Sequence, residues 1–306
     1  MLALLLKRML TAIPVLLIVA TLTFILVRIV PGGPFDADKN LPPAIVANLN
    51  AKYQLDKSVP QQYVIYLSRL AKGDLGVSYK YVNRTVRDIL QEAIPVSVQL
   101  GFTALVLAIL IGIPLGTLAA VNRGTWLDVT AMFISTAGIS VPGFVIGAFL
   151  IFIFGVWLKV LPVALWESPW HMVLPSLTLA FSPAAYLARL TRASLLEVLE
   201  KDWVRTARSK GLSRWSTIIK HALRNALVPV VTVLGPLTAI LITGSFVVEY
   251  LYAIPGMGRF FVTAVTNRDY DLIMGTTLVF AALLIVTNAI VDVAYQILDP
   301  RMKVEG

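Results

Sequence analysis

The chain has no cysteine at all, which excludes a disulfide framework, thiol chemistry and any cysteine-based metal site. Histidine is nearly as scarce, and His171 and His221 stand too far apart in the chain to form a ligand cluster by spacing. No Gly-x-x-x-x-Gly-Lys-Ser/Thr run occurs, so the chain does not hold a nucleotide in a loop of that kind. Energy for any work it does must come from a partner or from a gradient. Charge is thin as well: Asp, Glu, Lys and Arg make up 14% of the 306 residues, where a soluble domain usually carries about 25%.

What fills the space is apolar. Hydrophobic residues reach 58% and the mean hydropathy is +0.80. A helix needs roughly 20 apolar residues to cross the hydrocarbon core, and the sequence offers about six such runs, near 9–30, 95–121, 129–158, 172–188, 227–248 and 272–298. The first follows Lys7 and Arg8 and stops at Pro31-Gly32-Gly33-Pro34. It is longer than the core of a secretory signal, about 7–15 residues, and has no small-residue cleavage site, so it reads as an uncleaved span. The chain is expected to be one all-α, polytopic transmembrane domain over 1–306. The third run contains Val141-Pro142-Gly143 and the fourth Pro175 and Pro183; membrane helices tolerate such residues where neighbours satisfy the freed carbonyls.

The formal charge of +9 fits either a nucleic-acid surface or basic membrane loops. Position favours the loops. Between residues 189 and 224 stand Arg189, Arg192, Lys201, Arg205, Arg208, Lys210, Arg214, Lys220 and Arg224, against only Glu197, Glu200 and Asp202. This stretch belongs in the cytoplasm by the positive-inside rule, and counting spans puts both termini there too. That parity predicts the third run to be one long, tilted or kinked helix. No soluble basic domain with interleaved aromatics exists, so nucleic acid is not an expected partner.

Two extramembrane segments carry information. The outer loop at 31–94 is too long for a simple connection; Ile45, Leu49 and Tyr53, then Tyr63, Tyr66, Leu67 and Leu70, predict two or three short helices. They fit either a docking or gating surface or a structural cap. The inner loop at 189–226 continues in helical spacing through Trp203, Thr206, Ala207 and Lys210, and Gly211 stops it as a C-terminal cap does. Pattern alone leaves two readings: a basic linker against anionic headgroups, or a short helix that docks in a partner's groove. Trp157, Trp166 and Trp170 bracket the second outer loop, as interfacial anchors do. Gly112 to Gly116 and Pro142-Gly143 allow close packing or kinks. No run places an ionisable residue centrally, as a proton-coupled carrier needs. Glu249 falls near the outer end of the fifth run and Asp292 near the inner end of the sixth.

Trp203-Val204-Arg205-Thr206-Ala207-Arg208-Ser209-Lys210-Gly211, followed by His221-Ala222-Leu223-Arg224-Asn225-Ala226, resembles the cytoplasmic signature loop of ATP-binding-cassette peptide importer permeases. Arg205-Thr206-Ala207 stands where the general pattern has Glu-Ala-Ala, and Gly211 where it has its glycine. The downstream Leu-Pro is Leu223-Arg224 here, with a proline only at Pro229. Gly73-Asp74-Leu75-Gly76, Thr243-Gly244-Ser245 with Glu249, Ile254-Pro255-Gly256-Met257-Gly258, Asn267-Arg268-Asp269-Tyr270, Asp292-Val293-Ala294-Tyr295 and Asp299-Pro300-Arg301 extend the likeness over the whole chain. It is most similar to the B-subunit class of Gram-negative oligopeptide permeases.

The resemblance implies the type I importer permease fold in the bacterial inner membrane. It also implies a homologous second permease, two ATPase subunits that bind ATP and Mg, a periplasmic peptide-binding protein and a peptide substrate. The chain itself would bind no cofactor and catalyse nothing. Trp203, Arg205, Thr206, Ala207, Arg208, Lys210 and Gly211 would form the ATPase-coupling helix. Pro142, Gly143, Gly244, Glu249, Pro255 and Gly256 are candidate gate or hinge positions. Dipeptide, nickel-chelate and glutathione importers share this build; a stand-alone carrier or channel and a membrane scaffold are the readings from other classes.

Overall fold

The computed structural model describes residues 2–35 and 42–298, apart from the side chains of Arg208, Asp292 and a few others near the ends. The Asp292 side chain and the Asp299-Pro300-Arg301 motif therefore lie outside the described residues. Among those described, everything regular is helical except one isolated bridge between Val77 and Thr85.

Four helices are long and apolar enough to cross a membrane alone: α1 (Leu2–Ile29), α4 (Val86–Val121), α7 (Pro169–Leu199) and α14 (Tyr270–Leu298). Two further candidate crossings are bent pairs. One is α5 (Trp126–Ser140) with α6 (Gly143–Leu150) and its π-helical continuation Ile151–Trp157. The other joins α9 (Arg214–Ser216), a π-helical turn and α10 (Leu223–Ala226) to α11 (Val228–Ile242). Short helices α2 (Pro43–Lys52) and α3 (Val59–Leu70) fill the first outer loop; α8 (Asp202–Ser209), α12 (Phe246–Leu251) and α13 (Met257–Asn267) occupy later connections.

The third run is not one continuous helix. Its two arms meet at 110°, because Val141 is extended and Pro142 takes φ −56, ψ 136 as the N-cap of α6. The residue before a proline is driven out of the α region, so the helix stops there. The bend exceeds a right angle, yet the contacts continue in order along α7. Asp128 pairs with Arg192, Gly138 abuts Ala185, and Gly147 abuts Thr178, an ascent of about 21 Å along α7 at 1.5 Å per residue. The contacts keep advancing along α7 through the bend, as those of one broken span do.

Two compact units share the chain: Met1–Val96 with Pro255–Val286, and Ser97–Ile254 with Thr287–Gly306. In the first, Phe24 and Val27 of α1 meet Val86, Ile89 and Leu90 of α4, Met257 and Ala264 of α13, and Leu272 to Met274 of α14. Ala20, Phe24 and Val27 are the buried side of α1, spaced as one helical face. In the second, the core is built of small residues: Ala104 and Ala108 of α4 against Ala180, Ala184 and Leu187 of α7 and Val230 of α11. Association of helices in lipid relies on such close packing. A third cluster at the inner end joins Ala120, Leu195, Val198, Ile218, Ala222 and Ala226.

Candidate functional site

At the inner face α7 outruns the expected span and remains helical to Leu199. Hydropathy fails there, since a helix leaving the membrane changes composition and not geometry. Glu200 closes α7, and α8 starts at Asp202, whose carboxylate suits the positive end of a helix. Val204, 1% exposed, anchors α8 on the bundle, where α8 packs on the π-helical turn Thr217–Ala222. Trp203, Arg205, Thr206 and Lys210 are exposed and Ala207 is half-buried. Lys210 N–H donates to the Thr206 carbonyl and Leu212 N–H to that of Ala207; Gly211, at φ +88, supplies the left-handed turn. Ser213 then caps the next helix by accepting from Ser216 N–H. A cleft of about 440 Å³ opens beside α8 between Glu197, Lys201, Trp203, Asn225 and Pro229.

The seat of α8 is tied to the inner ends of three helices. Arg192 holds Asp128 through two hydrogen bonds of 2.6 and 2.8 Å, and Gly124 N–H donates to the same carboxylate at 3.0 Å. Such paired, charge-assisted contacts fix direction as well as distance. Arg123 meets Glu200 at 2.8 Å, and Arg214 donates to the Val121 carbonyl at 2.8 Å. Short, directional contacts therefore join the inner ends of α4, α5 and α7 beside α8.

Of the candidate gate positions, Pro142 and Gly143 form the bend itself. A Cβ on Gly143 would meet nothing within 4 Å, so packing does not require glycine there. Gly244, at φ +94, ends α11; a Cβ on it would lie 2.6 Å from Glu249 Oε1. Glu249 is fully buried and accepts from Ser245 N–H at 3.3 Å, while Ser245 caps α12 by accepting from Val248 N–H. These two positions are thus one local structure, a helix start folded over a carboxylate. Pro255 and Gly256 belong to the other compact unit, with Gly256 the N-cap of α13.

Sequence reasoning missed Tyr252. It is buried, shares a 2.7 Å hydrogen bond with Thr178 Oγ1 and donates to the Gly147 carbonyl at 3.2 Å. Its own carbonyl accepts from Leu165 N–H. This single phenol ties α12 to α7 and to the outer arm of the bend. Nothing in local spacing marks it, because its partners lie far away in the chain. Tyr252→Phe removes both hydrogen bonds, each worth about 0.5–1.5 kcal/mol net. The midpoint of thermal unfolding in detergent is expected to fall by several degrees; an unchanged midpoint would show that the bend is held by other contacts.

In the other unit the outer segments are bolted together by carboxylates. Asp269 accepts from Ser78 Oγ and from Tyr79 N–H, and Asp271 from Arg69, Val77 N–H and Tyr79 OH. Burial, reinforced by the Asp271 charge, pushes the Tyr79 hydroxyl well above its ordinary pKa. Burial does the same to Tyr66, raised to about 12. Asp74 behaves oppositely: slight burial pushes it up, but the Gly76 N–H and Arg69 guanidinium outweigh that and hold it below the usual carboxylate range. The Asn267-to-Tyr270 motif is therefore structural at Asp269.

Comparison with known proteins agrees with this geometry. The family model for the binding-protein-dependent transport system inner membrane component matches residues 112–304, and the model for its N-terminal part matches residues 1–101. The dipeptide transport system permease protein DppB of Bacillus subtilis is 48% identical, over 97% of this chain and 96% of its own. The oligopeptide transport system permease proteins OppB of Haemophilus influenzae and Escherichia coli are 43% and 42% identical, over 99% of this chain and 100% of theirs. A solved structure of the MetNI methionine ABC transporter in an inward-facing conformation has the same fold, with a TM-score of 0.54 at 20% identity over 69% of this chain and 94% of that one. The bent crossings, the long apolar helices and the end-to-end match together place the chain in the family of binding-protein-dependent transport system inner membrane components.

Proposed function

We propose that this chain is a permease subunit of an ATP-driven importer in the bacterial inner membrane and forms half of the path that carries oligopeptides inward. One observation carries the coupling part of the reading: α8 is pinned to the bundle through Val204 and leaves Trp203, Arg205 and Thr206 exposed at the inner face. A short helix with a free polar face and small residues suits insertion in a partner's groove. The partners would be a homologous permease, two ATPase subunits that bind ATP and Mg, and a periplasmic binding protein that delivers peptide. ATP closes the ATPase pair, the docked helices move together, and the bundle changes between two states biased by both ligands.

The oligopeptide assignment rests on the relatives named for it, which match from end to end. The test is purification of the tagged chain from its native membrane in mild detergent, with its companions identified and then reconstituted in vesicles. A second permease and two ATPase chains should co-purify, and vesicles supplied with binding protein and ATP should take up tripeptides and longer peptides. Recovery of a monodisperse chain that transports alone would refute the importer reading. Uptake restricted to dipeptides would move the substrate to the class of the Bacillus subtilis relative.

A further inference from the structure

The first compact unit contains a groove that neither the packing nor the coupling path uses. It is an apolar cavity of about 360 Å³ between α1, α13 and α14, within the usual range for sites that hold small ligands. Leu26, Val30, Phe261, Val265 and Ile273 form its walls. Leu26 is 62% exposed and Val265 49%, so the groove opens sideways, where the bilayer would be.

Its ends are chemically different. Thr23 and Thr277 lie at one end, each about 10 Å along its helix from the outer terminus at 1.5 Å per residue. Gly32 and Arg268 stand at the other end, where α1 and α13 stop. The depth stays within one leaflet of a core about 30 Å thick, and by the orientation above that is the outer leaflet.

The Arg268 guanidinium has no hydrogen-bond or ion-pair partner among the described residues, although the backbone N–H donates to the Val265 carbonyl. The neighbouring carboxylates are occupied elsewhere: Asp269 by Ser78 and Tyr79, Asp271 by Arg69, Val77 and Tyr79. Its backbone is left-handed, φ 55, at a helix end where glycine or asparagine is the ordinary choice. The chain bears a conformational cost there and keeps a guanidinium at the mouth of an apolar groove. Gly32 makes room for it, since a Cβ on Gly32 would lie 2.0 Å from Arg268 Nη1.

An apolar channel of leaflet depth with an unpaired cation at headgroup level matches one chemistry. We propose that this groove binds a glycerophospholipid of the outer leaflet, with an acyl chain between α1 and α13 and the phosphate on Arg268. The guanidinium fork suits phosphate geometry. This goes beyond the transport reading and requires only that the chain spans the membrane in the stated orientation.

The test uses the full chain with its co-purifying subunits, in nanodiscs of phosphatidylethanolamine and phosphatidylglycerol. A diazirine-bearing aliphatic amino acid replaces Leu26, a second sample carries it at Ile18 outside the groove, and mass spectrometry identifies the photo-adducts. The Leu26 probe should yield a phospholipid adduct. Its yield should fall about five-fold in Arg268→Gln, the worth of one basic residue near a charged lipid surface, and recover in Arg268→Lys. The Ile18 probe should be indifferent to all three residues at 268. An adduct to another protein chain at position 26 overturns the proposal, because the groove is then a subunit interface. Equal phospholipid yield in Arg268→Gln also overturns it, because the lipid is then merely annular.

Discussion

Ala207→Glu is expected to cut peptide uptake in reconstituted vesicles by about one and a half to three orders of magnitude, while the variant inserts and accumulates normally. Ala207 lies in α8, three residues beyond Val204, at the edge of the stripe that seats the helix. A carboxylate there adds bulk and a charge to a helix whose Trp203, Arg205 and Thr206 are exposed at the inner face. Loss of a central contact at a docking surface costs about 2–4 kcal/mol, and each 1.4 kcal/mol is a factor of ten. Insertion is spared because α8 lies outside every crossing. Co-purification of the ATPase chains should fall in parallel, which separates lost docking from a blocked pore. Arg205→Ala supplies the milder comparison: its side chain is 80% exposed and only 4.0 Å from Asp202, so it should weaken ATPase binding without unfolding α8. Normal uptake by a well-expressed Ala207→Glu variant would exclude α8 as the coupling element.

Run length and the parity of the basic loops predict the number of crossings, because hydrocarbon thickness fixes how many apolar residues a crossing needs and positive charge fixes the side of each loop. Angles and ends were not encoded in the same way. Pro142 was legible as a kink, yet hydropathy holds no information about a 110° turn. Gly147, Thr178 and Tyr252 hold the outer arm, and they belong to three different helices. The fifth run illustrates the same limit. In place of one helix over 227–248 the chain has Val228–Ile242, a cap at Ser245 and a separate short helix from Phe246. Gly244 and Ser245 are small residues inside an apolar run, and only Glu249 folded back on Ser245 N–H reveals a helix start. Near the inner face, Gly211 was readable because a left-handed cap has a residue preference. The grip on the α8 seat was not, since Asp128 and Arg192 look like two ordinary loop charges until α5 and α7 bring them together.

Gly116→Val should be strongly damaging within the membrane core, with Gly112→Val close behind. A Cβ on Gly116 would sit 2.3 Å from the Ala188 carbonyl oxygen, and one on Gly112 2.6 Å from that of Ala184. Both obstacles are backbone of α7, so no side-chain rotation relieves the clash. The glycines are four residues apart and so are the carbonyls they face, which makes the contact a continuous seam between α4 and α7. Valine would force the helices apart and strip Ala104, Ala108 and Ala184 of their partners. Overpacking of this kind costs about 1–3 kcal/mol even where side chains can yield, and helix association in lipid has no hydrophobic effect to fall back on. The damage also travels, because α7 carries Arg192 and ends at the seat of α8. Thermal stability in detergent should drop sharply and peptide uptake with it. Gly143→Ala, by contrast, adds a Cβ that meets nothing within 4 Å and should leave stability unchanged. A Gly116→Val variant as stable as the parent would mean that α4 and α7 do not pack along this seam in the membrane.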